Sequence, residues 1–206
     1  MKKRYYLAYG SNLNVHQMMY RCPTARIIGT AVIPDYQLLF KGSKTGSYLT
    51  IEPKEGSNVP VAVWSVEDLD ERRLDAYEGF PHFYYKKEMK LSITGIKTRT
   101  VRLRDAFVYI MHEERPLGIP TAHYLQVCYE GYDHFGFDPK YLVDAYTASS
   151  KEDKNETESG KFLLSERQWF IALRQWYCHF RRQHERIGLC GERGQNGRQY
   201  LLLHRL

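Results

Sequence analysis

Leu7-Ala8-Tyr9-Gly10-Ser11-Asn12-Leu13 places a glycine turn at the end of a short apolar strand, Tyr5-Tyr6-Leu7-Ala8. Glycine tolerates positive φ and carries no Cβ, so successive N–H groups in such a turn can converge on an anion or a polarised carbonyl. Ser11 and Asn12 add side-chain donors. Asn14 stands where it would cap a helix running through His16, Met18 and Tyr20. Bare backbone beside small polar side chains makes Tyr9, Gly10, Ser11 and Asn12 the first candidate ligand contacts.

Beyond this turn the periodicity switches repeatedly between two and 3.6, the mark of an α+β chain with mostly antiparallel strands. Strands are predicted over 26–33, 36–40, 48–52, 59–65, 83–93 and 98–110. Pro34-Asp35, Glu55-Gly56-Ser57-Asn58 and Thr94-Gly95 supply the turns between them. Helices are predicted over 66–77, 122–132 and 139–148. Many short strands in so small a chain must curl to bury one face, so the expected architecture is a small mixed β-barrel with flanking helices.

Composition bounds the rest. With 206 residues, 43% hydrophobic and 26% charged, the chain is long enough for one well-buried core and a small appendage. No apolar run approaches the roughly 18 residues of a spanning helix. Met1-Lys2-Lys3-Arg4 is basic, but a tyrosine-rich strand follows it instead of an apolar signal core, and a cytoplasmic protein is expected. Cys22, Cys128, Cys178 and Cys190 form no Cys-x-x-Cys pair, so buried or idle thiols fit better than a zinc module or a disulfide framework. Cys178, His179 and His184 lack a recognised metal-ligand spacing. Residues 161–206 hold nine Lys/Arg against three Asp/Glu, an excess of six that equals the net charge of the whole chain. Residues 149–160 contain almost nothing to bury and read as a polar linker, which puts the functional domain at 1–148.

A second chemical candidate is Glu78, in Leu74-Asp75-Ala76-Tyr77-Glu78-Gly79-Phe80-Pro81. Gly79 and Pro81 stop the helix, leaving Glu78 at its C-terminal end, where the helix dipole disfavours a carboxylate. Tyr77, Phe80 and Phe83 nearby would desolvate it, and such a glutamate titrates nearer neutrality, as a proton shuttle needs. No histidine pairs in sequence with a serine or cysteine as base and nucleophile, so no triad is proposed.

Three segments together resemble the γ-glutamylcyclotransferase superfamily, which includes the AIG2-like proteins. They are Leu7 to Leu13, Leu74 to Gly79, and Ala106-Phe107-Val108-Tyr109-Ile110-Met111 followed by Pro120 and Tyr124. The resemblance covers about residues 4 to 148. It implies a compact β-barrel with flanking helices, no cofactor and no metal, and a small-molecule γ-glutamyl substrate or γ-glutamyl isopeptide from which 5-oxoproline is released. The family's acid/base glutamate falls on Glu78, and the loop that holds the glutamyl group falls on Tyr9, Gly10, Ser11 and Asn12. Two pocket tyrosines fall on Tyr85 and Tyr124, with Tyr84 a rival for the first, because Phe83-Tyr84-Tyr85 also aligns with a one-residue slip.

The resemblance does not reach the tail. There Trp169, Leu173, Trp176 and Phe180 recur at helical spacing beside Arg167, Arg174, Arg181 and Arg182, the pattern of a basic amphipathic helix. Docking onto the domain or onto a partner chain, as in a homodimer, is preferred for it over contact with nucleic acid or acidic lipid.

Overall fold

Residues Arg26–Ser43 (β2) and Gly46–Val66 (β3) pair antiparallel along almost their whole lengths, from Arg26 opposite Ser65 to Ser43 opposite Gly46. The computed structural model describes residues 3–43 and 46–150. The four short strands predicted here are thus the halves of two long, bent ones. Pro34-Asp35 and Glu55-Gly56-Ser57-Asn58 do not reverse the chain; they create a register shift between Pro34 and Tyr36. Pro34 has no N–H for the ladder. Asp35 takes a φ of 58°, Gly56 a φ of 73°, and the Asp35 carboxylate accepts the Gly56 N–H at 2.9 Å. Turn-forming residues on facing strands produce a bulge that bends the hairpin, and bending is what lets so few strands close.

The other strands are Arg4–Ala8 (β1), Tyr84–Gly95 (β4) and Val101–Met111 (β5), and the closed barrel runs β1-β3-β2-β4-β5 and back to β1. Every pairing is antiparallel except β1 with β5, where Tyr6 lies opposite Phe107. Val59 to Val66 is buried without interruption, as expected of a strand covered on both faces. Leu7, Phe40, Ile51, Val61, Trp64 and Phe107 are among the fully enclosed core side chains.

Val15–Arg21 (α1), Asp68–Glu78 (α2), Ala122–Phe135 (α3) and Lys140–Ser150 (α4) flank the barrel. Asn14 caps α1 by accepting the Gln17 N–H at 3.1 Å. Glu67 and Asp70 form a capping box at the start of α2, and Gly79, at φ 62°, closes its other end in the left-handed conformation. α4 extends past its predicted limit: Ser149 is buried and its hydroxyl accepts the Phe40 N–H at 2.8 Å. The first two residues of the expected linker therefore belong to the helix. The chain divides into two units, Met1–Glu158 and Ser159–Leu206, and every described residue lies in the first. The expected amphipathic tail helix and its cysteines lie outside the described residues. Among the described residues no helix is long and apolar enough to cross a membrane.

Candidate active site

The barrel has an opening where β1 runs out. β1 pairs with β3 only as far as Ala8 opposite Ala62, and the chain then leaves in a 3-10 turn, Ser11–Leu13. Past that point side chains of the turn and of β3 reach across to β5. The Tyr9 hydroxyl donates to the Tyr109 carbonyl at 2.6 Å, and the Met111 N–H donates to the Thr50 hydroxyl at 3.0 Å. Leu49 is held from both sides: the Tyr84 hydroxyl donates to its carbonyl at 2.9 Å, and its N–H donates to the Tyr124 hydroxyl at 3.1 Å. A pocket occupies this opening, with about 290 Å³ of space counting its open mouth. The Tyr9-Gly10-Ser11-Asn12 turn and Glu78 line it together with Tyr6, Leu49, Tyr84, Tyr109 and Tyr124.

Gly10 does not use the positive φ that glycine permits. Its φ is −113°, outside the left-handed region, so no positive φ demands glycine. A Cβ at this position would sit 3.2 Å from the Tyr124 hydroxyl, which would have to give by a few tenths of an ångström, and 3.5 Å from the Leu49 Cβ, an ordinary contact. The turn is held from behind by α3, because Gly131 packs directly against Leu13 and Asn14.

Glu78 is the last residue of α2, and its carboxylate accepts the Asn12 amide N–H at 2.9 Å across the pocket. The residue as a whole is half-buried, but burial of its carboxyl group raises the pKa to about 7, while the nearby Arg21 charge and the Asn12 hydrogen bond pull it back down. Perturbation toward neutrality was anticipated, but its surroundings were not. Tyr77 and Phe80 are 47% and 39% exposed, whereas the tyrosines that do share the pocket with Glu78 come from β1, the glycine turn, β4, β5 and α3. Burial also pushes the pKa values of Tyr6, Tyr9, Tyr84, Tyr109 and Tyr124 up, so the wall is one of protonated hydroxyls. Tyr6 accepts from Asn12 at 3.0 Å, which leaves its own O–H to donate elsewhere. The Tyr109 hydroxyl donates to Asp75 at 2.6 Å, and Asp75 is paired with Lys86 at 2.8 Å.

Tyr85 does not belong to this pocket. On β4 it neighbours Tyr84, and adjacent strand residues point to opposite faces. Its hydroxyl donates to exposed Glu113 at 2.6 Å, and its ring lies 5.4 Å from His112. Of the two, it is Tyr84 that lines the pocket. Replacing Tyr84 by Phe leaves the Leu49 carbonyl without its donor, which costs the fold roughly 1–3 kcal/mol, and the displaced pocket wall should lower any turnover there by about tenfold. Tyr85→Phe, assayed beside it, should change turnover by less than about twofold.

The sequence did not single out Tyr6, Tyr109 and Leu49 as pocket residues. A signal existed for the two tyrosines: Tyr6 lies just before the glycine turn, and Tyr109 lies two residues along β5 from Phe107, which pairs with Tyr6. Leu49 contributes its backbone, for which side-chain identity gives no sign. Among the described residues Glu78 is the single carboxylate lining the pocket, too few for a metal cage. His112, Glu113 and Glu114 bring ligand-type atoms within 4.8 Å of one another, but none of the three lines the pocket, and Glu113 already accepts from Tyr85. Cys22 and Cys128 are buried, and burial pushes both thiols up to about 12, which makes them inert at neutral pH.

The sequence model of the family described as "Gamma-glutamyl cyclotransferase, AIG2-like" matches residues 6–126. The chain belongs to that family. The matched span holds every residue named above as lining the pocket. Among solved structures, one described as a gamma-glutamyl cyclotransferase is similar at 23% identity and a TM-score of 0.58, over 84% of this chain and 99% of that one. An uncharacterized protein from Homo sapiens matches at 22% identity and a TM-score of 0.57, over 83% of this chain and 98% of that one. YkqA from Bacillus subtilis matches at 17% identity and a TM-score of 0.55, over 78% of this chain and 57% of that one. These likenesses show the gamma-glutamylcyclotransferase-like barrel fold. No curated protein sequence matches the chain.

Proposed function

We propose that the pocket closes a γ-glutamyl group into 5-oxoproline and releases the amine to which that group was joined, with Glu78 as general acid and base. One observation supports this above all: a lone carboxylate with a pKa of about 7 lies in the same small pocket as the glycine turn. The substrate carries its own nucleophile. Its α-amine attacks its own γ-carbonyl carbon, the new C–N bond closes a five-membered lactam, and the bond to the leaving nitrogen breaks. The α-ammonium gives up two of its three protons on becoming a lactam N–H. Glu78 takes the first before the attack and hands it to the leaving nitrogen as the C–N bond breaks. The second, lost from the ring nitrogen after the attack, passes to the departing amine or to solvent, so the carboxylate ends the cycle as it began. Fixing the two reacting ends supplies about 7 to 11 kcal/mol without any covalent intermediate on the protein.

Charge builds on the carbonyl oxygen during the attack. Gly10 and Ser11 line the pocket, and their N–H groups are the candidates for either that oxyanion or the substrate's α-carboxylate. The hydroxyls of Tyr6 and Tyr124 suit the remaining polar atoms of the glutamyl group, while Tyr9 and Tyr84 hold the pocket's own backbone. Amine, amide and isopeptide leaving groups all fit this chemistry.

The test is 5-oxoproline release from a panel of γ-glutamyl amino acids, amines and isopeptides. Glu78 must be ionised to take the first proton, so kcat/KM for the best substrate should rise with pH through a limb near pH 7. Absence of 5-oxoproline from every panel member would contradict the proposal.

A further inference from the structure

Arg21, in the last turn of α1, takes no part in the chemistry proposed above and does not line the pocket, yet it is tied to the site from behind. One guanidinium nitrogen donates to the Asn12 side-chain oxygen at 2.7 Å. Another donates to Gln17 at 2.6 Å and to the Tyr77 hydroxyl at 2.8 Å, and the guanidinium carbon lies 3.8 Å from the centre of the Tyr77 ring. These acceptors are neutral, so among the described residues no carboxylate is clamped onto the positive charge, which acts on Glu78. An amide has one oxygen and one nitrogen. With the Asn12 oxygen committed to Arg21, its NH₂ must face the other way, where it donates to Tyr6 at 3.0 Å and Glu78 at 2.9 Å.

We propose that Arg21 is a positioning residue: it locks the Asn12 amide in the orientation that presents N–H to the Glu78 carboxylate, and it sets the charge against which that carboxylate gains and loses its proton. Turning the amide over would aim an oxygen at the carboxylate, a repulsive contact. Tyr77 immobilises the guanidinium from the α2 side, and the Ser11 hydroxyl lies 3.3 Å from the same Tyr77 oxygen, so α1, α2 and the glycine turn are joined through this one cluster. The titratable and charged groups facing Glu78 are Tyr6 of β1, Tyr9 of the turn, Tyr84 of β4, Tyr109 of β5, Tyr124 of α3 and Arg21 of α1. The tyrosines stay neutral around pH 7, which leaves Arg21 as the charge that acts on Glu78. It lowers the proton affinity that burial raises, opposing the upward displacement of a base that has to work near neutrality.

The inference rests on Glu78 being the acid/base, so its test needs a readout that survives if no substrate is turned over. The ionisation of Glu78 is followed by ¹³C NMR of its side-chain carboxyl, assigned by its disappearance in Glu78→Gln, in the wild type, Arg21→Gln and Arg21→Lys. In Arg21→Gln the Glu78 midpoint should rise by about one pH unit or more, and kcat on the best γ-glutamyl substrate should fall about 10- to 100-fold with KM changed far less. Arg21→Lys keeps the charge but loses the planar fork, so its midpoint should stay near that of the wild type while kcat still falls. An unmoved midpoint in Arg21→Gln would overturn the inference, whatever happens to the rate. If no panel member gives 5-oxoproline, the proposed function fails, and the NMR midpoints still decide the role of Arg21.

Discussion

Glu78→Gln should fold, bind and fail to turn over. Glutamine keeps the side-chain oxygen that accepts the Asn12 N–H, so the geometry around the amide survives, but it can neither take the proton from an α-ammonium nor give one to a leaving amine. Loss of general acid–base catalysis is worth about 10²- to 10⁴-fold, and kcat should fall in that range with little change in KM. The same substitution makes a thermodynamic prediction. In the folded protein the Glu78 pKa is raised to about 7 from an ordinary 4.5, so the native state holds a proton there that the unfolded chain has already lost. Stability is therefore expected to fall as pH rises between about 4.5 and 7, by roughly 1–3 kcal/mol from this group. Glutamine carries no such cost. Thermal unfolding of the two proteins should agree near pH 4, allowing for a constant offset, and separate in favour of Glu78→Gln by pH 8. Parallel melting curves at every pH would mean the carboxyl is not desolvated.

Gly131→Ala should damage the site from the opposite side of the turn. In an ordinary helix interior the exchange is favourable by up to about 1 kcal/mol. Here a Cβ would meet the Leu13 side chain and also lie 2.8 Å from the Leu13 carbonyl carbon and 2.9 Å from the Asn14 nitrogen. Those last two are backbone atoms of the turn that positions Ser11 and Asn12, and they can yield only if α3 and the turn move apart. Overpacking of this kind costs about 3 kcal/mol or more, which for a domain of this size lowers Tm by roughly 6–12 °C. Because Asn12 moves with the turn, turnover at temperatures where the variant is still folded should also fall. A variant with wild-type Tm would show that α3 does not brace the turn.

The legible part of this protein was its strand pattern and its motif chemistry. The strand-forming stretches and the turn residues between them were legible, but the sequence could not say whether Pro34-Asp35 reverses the chain or only bends it, because that depends on what the facing residue Gly56 does. Glu78 was visible because a helix-stopping glycine follows it, and Gly10 because it ends a strand. Tyr84 and Tyr85 could not be separated, since strand phase is set by the pairing of Tyr84 with Met111, which lies far along the chain. Arg21 was hidden for a similar reason: Asn12 is nine residues away from it and Tyr77 is 56 away, and only the fold brings them together.

In the proposed reaction the substrate's own amine, and no water, attacks the γ-carbonyl. The most direct test is to run the reaction on the best γ-glutamyl substrate in ¹⁸O-labelled water and weigh the product. The account predicts 5-oxoproline carrying no ¹⁸O, in amounts matching the released amine, and no product from a substrate whose α-amine is acetylated. Glutamate carrying one ¹⁸O, or release of amine from the acetylated substrate, would show hydrolysis and contradict it.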